Sequence, residues 1–291
     1  MDGTIHISGL RKAYDQPVLD GLDLDVTAGV FALLGPNGAG KTTVVSILTT
    51  LVRPDGGTAQ VCGVDVARDP AGARRHFAVT GQETTLDGLL TGRENLVMLG
   101  RLLGLGGDAP DRADRLLAQF GLTEAGGRTV ATYSGGMRRR LDLAASMLRR
   151  PNVLFLDEPT TGLDPVSRGR VWEDVRTLAA SGTTIFLTTQ TLDEAEALAD
   201  RIAVLDHGRV IADGTAAQLT ARVGGQRLVV LDDDGAEIRS IDTDGTVTSV
   251  ERALAGLDPA ERDLHVELRS PTLDDAFVTL TSSTPAKEAV A

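Results

Sequence analysis

Gly35-Pro36-Asn37-Gly38-Ala39-Gly40-Lys41-Thr42 decides how this chain is read. The octapeptide has the form G-x-x-x-x-G-K-[ST]. Glycines in such a loop let backbone N–H groups turn inward around phosphate oxygens, which side chains would obstruct. The flanks fit. Upstream, Val30-Phe31-Ala32-Leu33-Leu34 is a continuous apolar run, the pattern of a strand buried on both faces. Downstream a helix is predicted from about Lys41 to Thr50, and its N-terminal partial charge adds to the attraction for anions. Lys41 is placed to reach the β- and γ-phosphates of a nucleotide, and the Thr42 hydroxyl to hold Mg²⁺. Gly35, Pro36, Asn37, Gly38, Ala39, Gly40, Lys41, Thr42 and Thr43 are therefore the candidate nucleotide-binding residues.

Val153-Leu154-Phe155-Leu156-Asp157-Glu158 is the companion element. Four apolar residues bury a strand, and an acid at its C-terminal end lies where open α/β sheets bind ligands. Asp157 is expected to hold Mg²⁺, directly or through water. Glu158 is expected to polarise the attacking water as general base. Such a carboxylate pair alone marks an ordinary solvated loop; beside a phosphate loop it reads as catalytic. Ser134-Gly135-Gly136-Met137-Arg138 opens a long amphipathic helix with two glycines. Exposed amides, a serine hydroxyl and a helix dipole make it a second anion site. In isolation the same pentapeptide is an ordinary Ser N-cap, and the arginine run 138–140 a solvated or phosphate-facing patch.

Outward from these motifs, strands alternate with helices. That order predicts a parallel sheet with covered faces, an α/β fold. Ile5-His6-Ile7 and Leu22–Val26 read as short alternating strands, and residues 58–80 as further strands with a short helix. Thr91 to Glu94 and Thr191 to Glu194 have the form of capping boxes. Asp164-Pro165 starts a helix that Gly182 stops, and Asp206-His207-Gly208-Arg209 is a hairpin turn. After about Thr220 the character changes to a small acidic α+β appendage. Ser270-Pro271 reads there as the cap and first residue of a helix with acids in its first turn. The expected division is 1–220 for the main domain, with a helical subdomain at about 83–150, then 221–281 for the accessory domain and 282–291 for a loose tail.

Composition bounds the function. The 291 residues are 42% hydrophobic and 24% charged, the balance of a globular protein. The net charge of −12 argues against general nucleic-acid binding, which needs a basic footprint. Residues 225–291 carry 6 basic and 14 acidic groups, so most of that charge sits in the appendage. No run of about 18 apolar residues is present to span a bilayer. Met1-Asp2-Gly3-Thr4 has neither a basic head nor an apolar signal core. With Cys62 as the single cysteine no internal disulfide forms, which fits a reducing cytosol.

The set of motifs, in order and spacing over residues 4–220, resembles the ATP-binding cassette (ABC) ATPase superfamily. Residues 134–138 are similar to its signature motif, with Met137 where glutamine is commoner. The resemblance implies a fold with a mainly parallel core sheet, an antiparallel β subdomain and an α-helical subdomain. It makes Gln82 the glutamine that touches Mg²⁺ and signals to a membrane subunit, and Gly162-Leu163-Asp164 the D-loop. Tyr14 stands where an aromatic stacks on adenine, though a half-exposed strand tyrosine is its plain alternative. Gln190 occupies the switch position where most of the superfamily has histidine; it donates a hydrogen bond to the γ-phosphate but carries no proton. Tyr133 to Asp142 and Thr188-Thr189-Gln190 are similar to the daunorubicin/doxorubicin-resistance type of exporter, which shares that glutamine.

From the resemblance follow a Mg²⁺-dependent ATPase, a head-to-tail homodimer clasping ATP between one copy's phosphate loop and the other's Ser134, Gly135 and Gly136, and a separate polytopic membrane permease. The chain is then expected at the cytoplasmic face of the membrane, driving efflux of a hydrophobic or amphipathic drug. Two alternatives belong to other classes: a non-transport ABC ATPase acting on ribosomes or DNA, and an ATP-sensing regulator with little turnover.

Overall fold

The computed structural model describes residues 4–81, 85–222, 225–232, 234–259, 261 and 263–282. The chain divides into two compact units, residues 1–213 and 214–291. The second unit thus begins at Gly214, earlier than the composition shift near residue 220 suggests.

The first unit opens with β1 (Ile5–Ala13) and β2 (Pro17–Val26). Both outrun the alternating stretches legible in sequence because a register shift between Ile7 and Leu10, with Gly9 at φ 58°, breaks the alternation of β1. They lie in a four-stranded sheet of order β2-β1-β4-β5 with β4 (Gly56–Val61) and β5 (Val64–Asp65), all pairs antiparallel.

The second sheet has six strands: β3 (Val30–Leu34), β6 (Phe77–Thr80), β7 (Val153–Asp157), β8 (Thr184–Thr189), β9 (Arg201–Asp206) and β10 (Arg209–Gly214). Their order is β10-β9-β3-β8-β7-β6, and every pair from β9 to β6 is parallel. Phe31, Phe186 and Phe155 stand in register across β3, β8 and β7. With Phe77 they form a ladder of ring contacts 5.4–5.5 Å apart. Four of the six phenylalanines of the chain are spent on this row, so the sheet is the centre of the core. The face carrying Phe31, Phe155 and Phe186 packs in one cluster with Val44, Ile47 and Leu48 of α1 (Lys41–Leu48) and with Ile5, Ile7 and Leu24 of the antiparallel sheet.

Helices α2 (Pro70–Ala73), α3 (Gly92–Leu102), α4 (Ala109–Gln119), α5 (Gly135–Ser146), α6 (Pro165–Ala180) and α7 (Leu192–Leu198) complete the unit. Thr91 makes both bonds of the predicted capping box, and Asp164 caps α6 with Pro165 in its first turn. The box predicted at Thr191 does not form: the Thr191 hydroxyl caps nothing, and its amide donates to Thr189 Oγ1 at 2.9 Å. Glu194 is instead drawn inward, where its carboxylate has stronger partners.

The second unit holds α8 (Ala216–Thr220), then β11 (Gln226–Leu231), β12 (Glu237–Thr243), α9 (Val247–Ala255), β13 (His265–Arg269) and α10 (Leu273–Ser282). Its three strands form an antiparallel sheet of order β12-β11-β13, the α+β appendage the sequence predicts. The last helix starts later than Ser270-Pro271 suggests. Thr272 Oγ1 accepts from the Asp275 amide at 3.2 Å, while Ser270 Oγ accepts from Gln226 Nε2 at 2.9 Å.

Candidate functional site

Strand order assembles the site. β3, β8, β7 and β6 are parallel neighbours, so the segments leaving their C-terminal ends line up along one edge of the sheet. Those segments are Gly35–Thr42, then Gln190, then Glu158, then Gly81. Sites in open α/β sheets form at this edge. Gln82 lies outside the described residues. Thr189 O accepts from the Gly35 amide at 3.3 Å and Thr188 O from the Glu158 amide at 3.0 Å, so β8 ties the phosphate loop to the carboxylate loop.

The phosphate loop keeps its glycines for space and for backbone shape. A Cβ on Gly35 would sit 2.3 Å from Leu205 O, and Gly38 and Gly40 take φ of 82° and 109°. Around Gly38 nothing lies within 4 Å of a Cβ position, which leaves that stretch of backbone open to a phosphate. Pro36, Asn37, Gly38 and Thr42 are exposed, Thr43 is half-buried, and Ala39 is buried beneath the loop. Lys41 is buried, its ammonium donating to Gly35 O at 2.7 Å and Pro36 O at 3.1 Å. Burial lowers its pKa, while the charges of Glu158 and Asp157 oppose that shift.

Asp157 ends β7 with its carboxylate accepting from the Thr188 hydroxyl. Asp157 and the Thr42 hydroxyl offer hard oxygen donors, and no cluster of three or more metal-ligating side chains exists among the described residues. That donor set fits Mg²⁺, which takes one or two protein oxygens and completes its shell with phosphates and water. Glu158 has φ 47°, and its Oε2 accepts from Thr161 Oγ1 at 3.2 Å.

Ser134 caps α5, its Oγ accepting from the Met137 amide at 3.2 Å. Gly135 and Gly136 follow in the first turn. A cleft of about 310 Å³ is lined by Gly135 and Arg138 on one side and by Glu158, Thr161 and Leu163 on the other. Asp164 accepts from the Val166 and Ser167 amides at 3.1 and 3.0 Å. Bonding to Ser167 holds its carboxyl below the usual range. Tyr14 sits 58% exposed in the turn between β1 and β2, with the Lys12 ammonium 5.4 Å from its ring centroid. Gln190 is exposed just after β8.

The arginine run is not a uniform surface patch. Arg138 faces the cleft, but Arg140 pairs with Asp174 at 2.7 Å and Arg139 is buried. Arg139 Nε donates to Pro159 O at 2.8 Å and Nη1 to Gly81 O at 2.7 Å. The signature helix thereby holds two of the four loops at the sheet edge. Gly208 is a second residue whose part is hidden in sequence. Beyond shaping the hairpin, its amide donates to Ala39 O at 3.0 Å, and a Cβ there would sit 2.2 Å from Val18 O. Spacing alone shows that position 208 is a turn, not that a phosphate loop rests on it.

Comparison with known proteins gives the same picture. The family model described as ABC transporter matches residues 19–161. A daunorubicin resistance ATP-binding protein of Streptomyces coeruleorubidus is 51% identical over 99% of this chain and 100% of its own length. A daunorubicin/doxorubicin resistance ATP-binding protein of Streptomyces peucetius is 50% identical, covering 95% of this chain and 92% of its own. Among solved structures, an ATP-binding subunit of an ABC transporter aligns with a TM-score of 0.66 at 30% identity, over 75% of this chain and 92% of that one.

Proposed function

The chain belongs to the ABC transporter family of ATP-hydrolysing subunits, and from that premise we propose that it powers export of a hydrophobic or amphipathic drug through a separate membrane permease, from the cytoplasmic face. No helix among the described residues is long and apolar enough to cross a membrane, so a permease would supply the path. The names of the two relatives, 51% and 50% identical, support drug efflux. The helical segment supports a docking role. Leu89 is 86% and Leu102 77% exposed, and Val97, Met98 and Leu102 line an open groove along α3.

In this reading ATP lies against the phosphate loop, its phosphates on backbone amides of the stretch from Asn37 to Thr43, with Tyr14 against the adenine. Lys41 turns from the loop carbonyls to the β- and γ-phosphates. Thr42 and Asp157, with Gln82, would hold Mg²⁺, which neutralises phosphate charge when bound. Glu158 accepts the proton of the water that attacks the γ-phosphorus, releasing ADP and phosphate. Gln190 donates to the γ-phosphate without carrying a proton. A second copy, placed head to tail, supplies Ser134 and the amides of Gly135 and Gly136 to the charge that builds in the transition state. Asp164 belongs to the same dimer surface, where it fixes the start of α6.

The observation that carries this chemistry is geometric: consecutive residues of β8 tie the phosphate loop and the Glu158 segment to one sheet edge, Thr189 O accepting from the Gly35 amide at 3.3 Å and Thr188 O from the Glu158 amide at 3.0 Å. Steady-state turnover and ATP binding of Glu158→Gln test it. Turnover is expected to fall by at least about 100-fold with ATP binding retained. Turnover within a few-fold of the unaltered protein overturns the role given to Glu158.

A further inference from the structure

Glu158 adopts a left-handed backbone, φ 47°, that a non-glycine residue enters only at a cost. Such a conformation persists where the surroundings impose it, and here the residues that follow are gripped from two directions. Pro159 O accepts from Arg139 of α5. Thr160 Oγ1 donates to Glu194 Oε1 of α7 at 2.6 Å, and Trp172 Nε1 of α6 approaches the same oxygen at 3.3 Å. Thr160 is 7% and Glu194 2% exposed.

A carboxylate buried this deeply is costly unless its bonds do something. Glu194 contributes no cap to its own helix, and none of the roles assigned above uses it. What its bond does is fix Thr160, two residues beyond Glu158. Glu194 in turn lies in the first turn of α7, which begins two residues after Gln190. The pair therefore joins the segment bearing Gln190 to the segment bearing Glu158 through a buried hydrogen bond.

We propose that Thr160 and Glu194 are positioning residues that hold Glu158 in its left-handed conformation and aim its carboxylate at the attacking water. This rests on Glu158 being the general base. Neither side chain touches nucleotide; both act through the backbone of residues 158–160. Losing the bond lets Glu158 relax toward ordinary φ values, which swings its carboxylate away while leaving the phosphate loop intact.

The test is a kcat against KM split with a conservative rescue, on the full chain. Thr160→Val keeps volume and shape but removes the hydroxyl, and Thr160→Ser keeps the hydroxyl. Thr160→Val is expected to lower kcat about tenfold with KM for ATP within about twofold, and Thr160→Ser to stay within about twofold in both. In a Glu158→Gln background, single-turnover rates should show no further loss from Thr160→Val, because the hydroxyl acts only through Glu158.

If Thr160→Val does not fold, as judged by thermal unfolding, Glu194→Gln and Glu194→Met make the same comparison. The amide oxygen of the first keeps the acceptor and kcat; the second removes the acceptor and should show the tenfold loss. A kcat within twofold for Thr160→Val, or for Glu194→Met where that pair is used, overturns the proposal. So does an equal proportional loss in the Glu158→Gln background. Failure of the Glu158 assignment itself would show separately, as persistent turnover in Glu158→Gln alone.

Discussion

Asp142 sits one helical turn after Arg139, and the two side chains, 7% and 9% exposed, approach only to 3.5 Å. Burial pushes the Asp142 carboxyl up to about 6, against the opposing pull of Arg139 and of the Thr85 amide. The folded state therefore binds this proton more tightly than the unfolded chain. Asp142 contributes its full stability below about pH 4 and loses it as pH rises through 6, on the order of 2–3 kcal/mol over the window. Asp142→Asn cannot titrate. Urea unfolding at a series of pH values should show the unaltered protein losing ground to this variant between pH 4 and 7. A difference constant across that range would contradict the upward shift that burial gives the Asp142 carboxyl. Residues of this kind were not legible in sequence. Periodicity marks the apolar stripe of α5 but does not say that its second arginine and its aspartate turn inward. Nor does the spacing of Thr191 and Glu194, which fits a capping box, reveal that Thr160 and Trp172 offer Glu194 better partners.

Between elements, one tight fit near the site is α5 on α6. A Cβ on Gly136 would lie 2.5 Å from Ser167 Oγ and 2.7 Å from Ser167 Cβ. The second glycine of the signature is thus required by helix packing as well as by any anion it faces. Gly136→Ala is expected to cost about 1–3 kcal/mol of stability through overpacking. On a Ser167→Gly background, which removes both clashing atoms, the same substitution should cost less than half as much in a denaturant double-mutant cycle. Equal costs on both backgrounds would show that the contact does not limit the helix spacing. At this scale the sequence was informative wherever a local signal governs. Thr91, Asp164, Pro165 and Gly182 delimit helices as their chemistry predicts, since caps and stops depend on neighbours three or four residues away. It was uninformative where a distant strand decides, as at Gly208 beneath Ala39.

In the whole molecule, the sheet order puts the phosphate loop, Gln190, Glu158 and Gly81 on consecutive parallel strands. Residues more than a hundred positions apart in sequence thereby become neighbours. Each motif was readable alone because its chemistry is local: glycines for the loop, an acid after a buried strand. Their adjacency was readable only through resemblance, because strand order depends on packing of the whole sheet. The second unit gave its α+β character to composition and turn signals, but its boundary at Gly214 did not coincide with the change in charge.

As proposed above, this ATPase works on a membrane partner. The decisive measurement is affinity purification of the full chain from gently solubilised membranes of its host, with mass spectrometry of what accompanies it. A stoichiometric polytopic membrane protein is the expected companion. Recovery of soluble machinery alone, ribosomal or chromosomal, would contradict it while leaving the ATP chemistry standing.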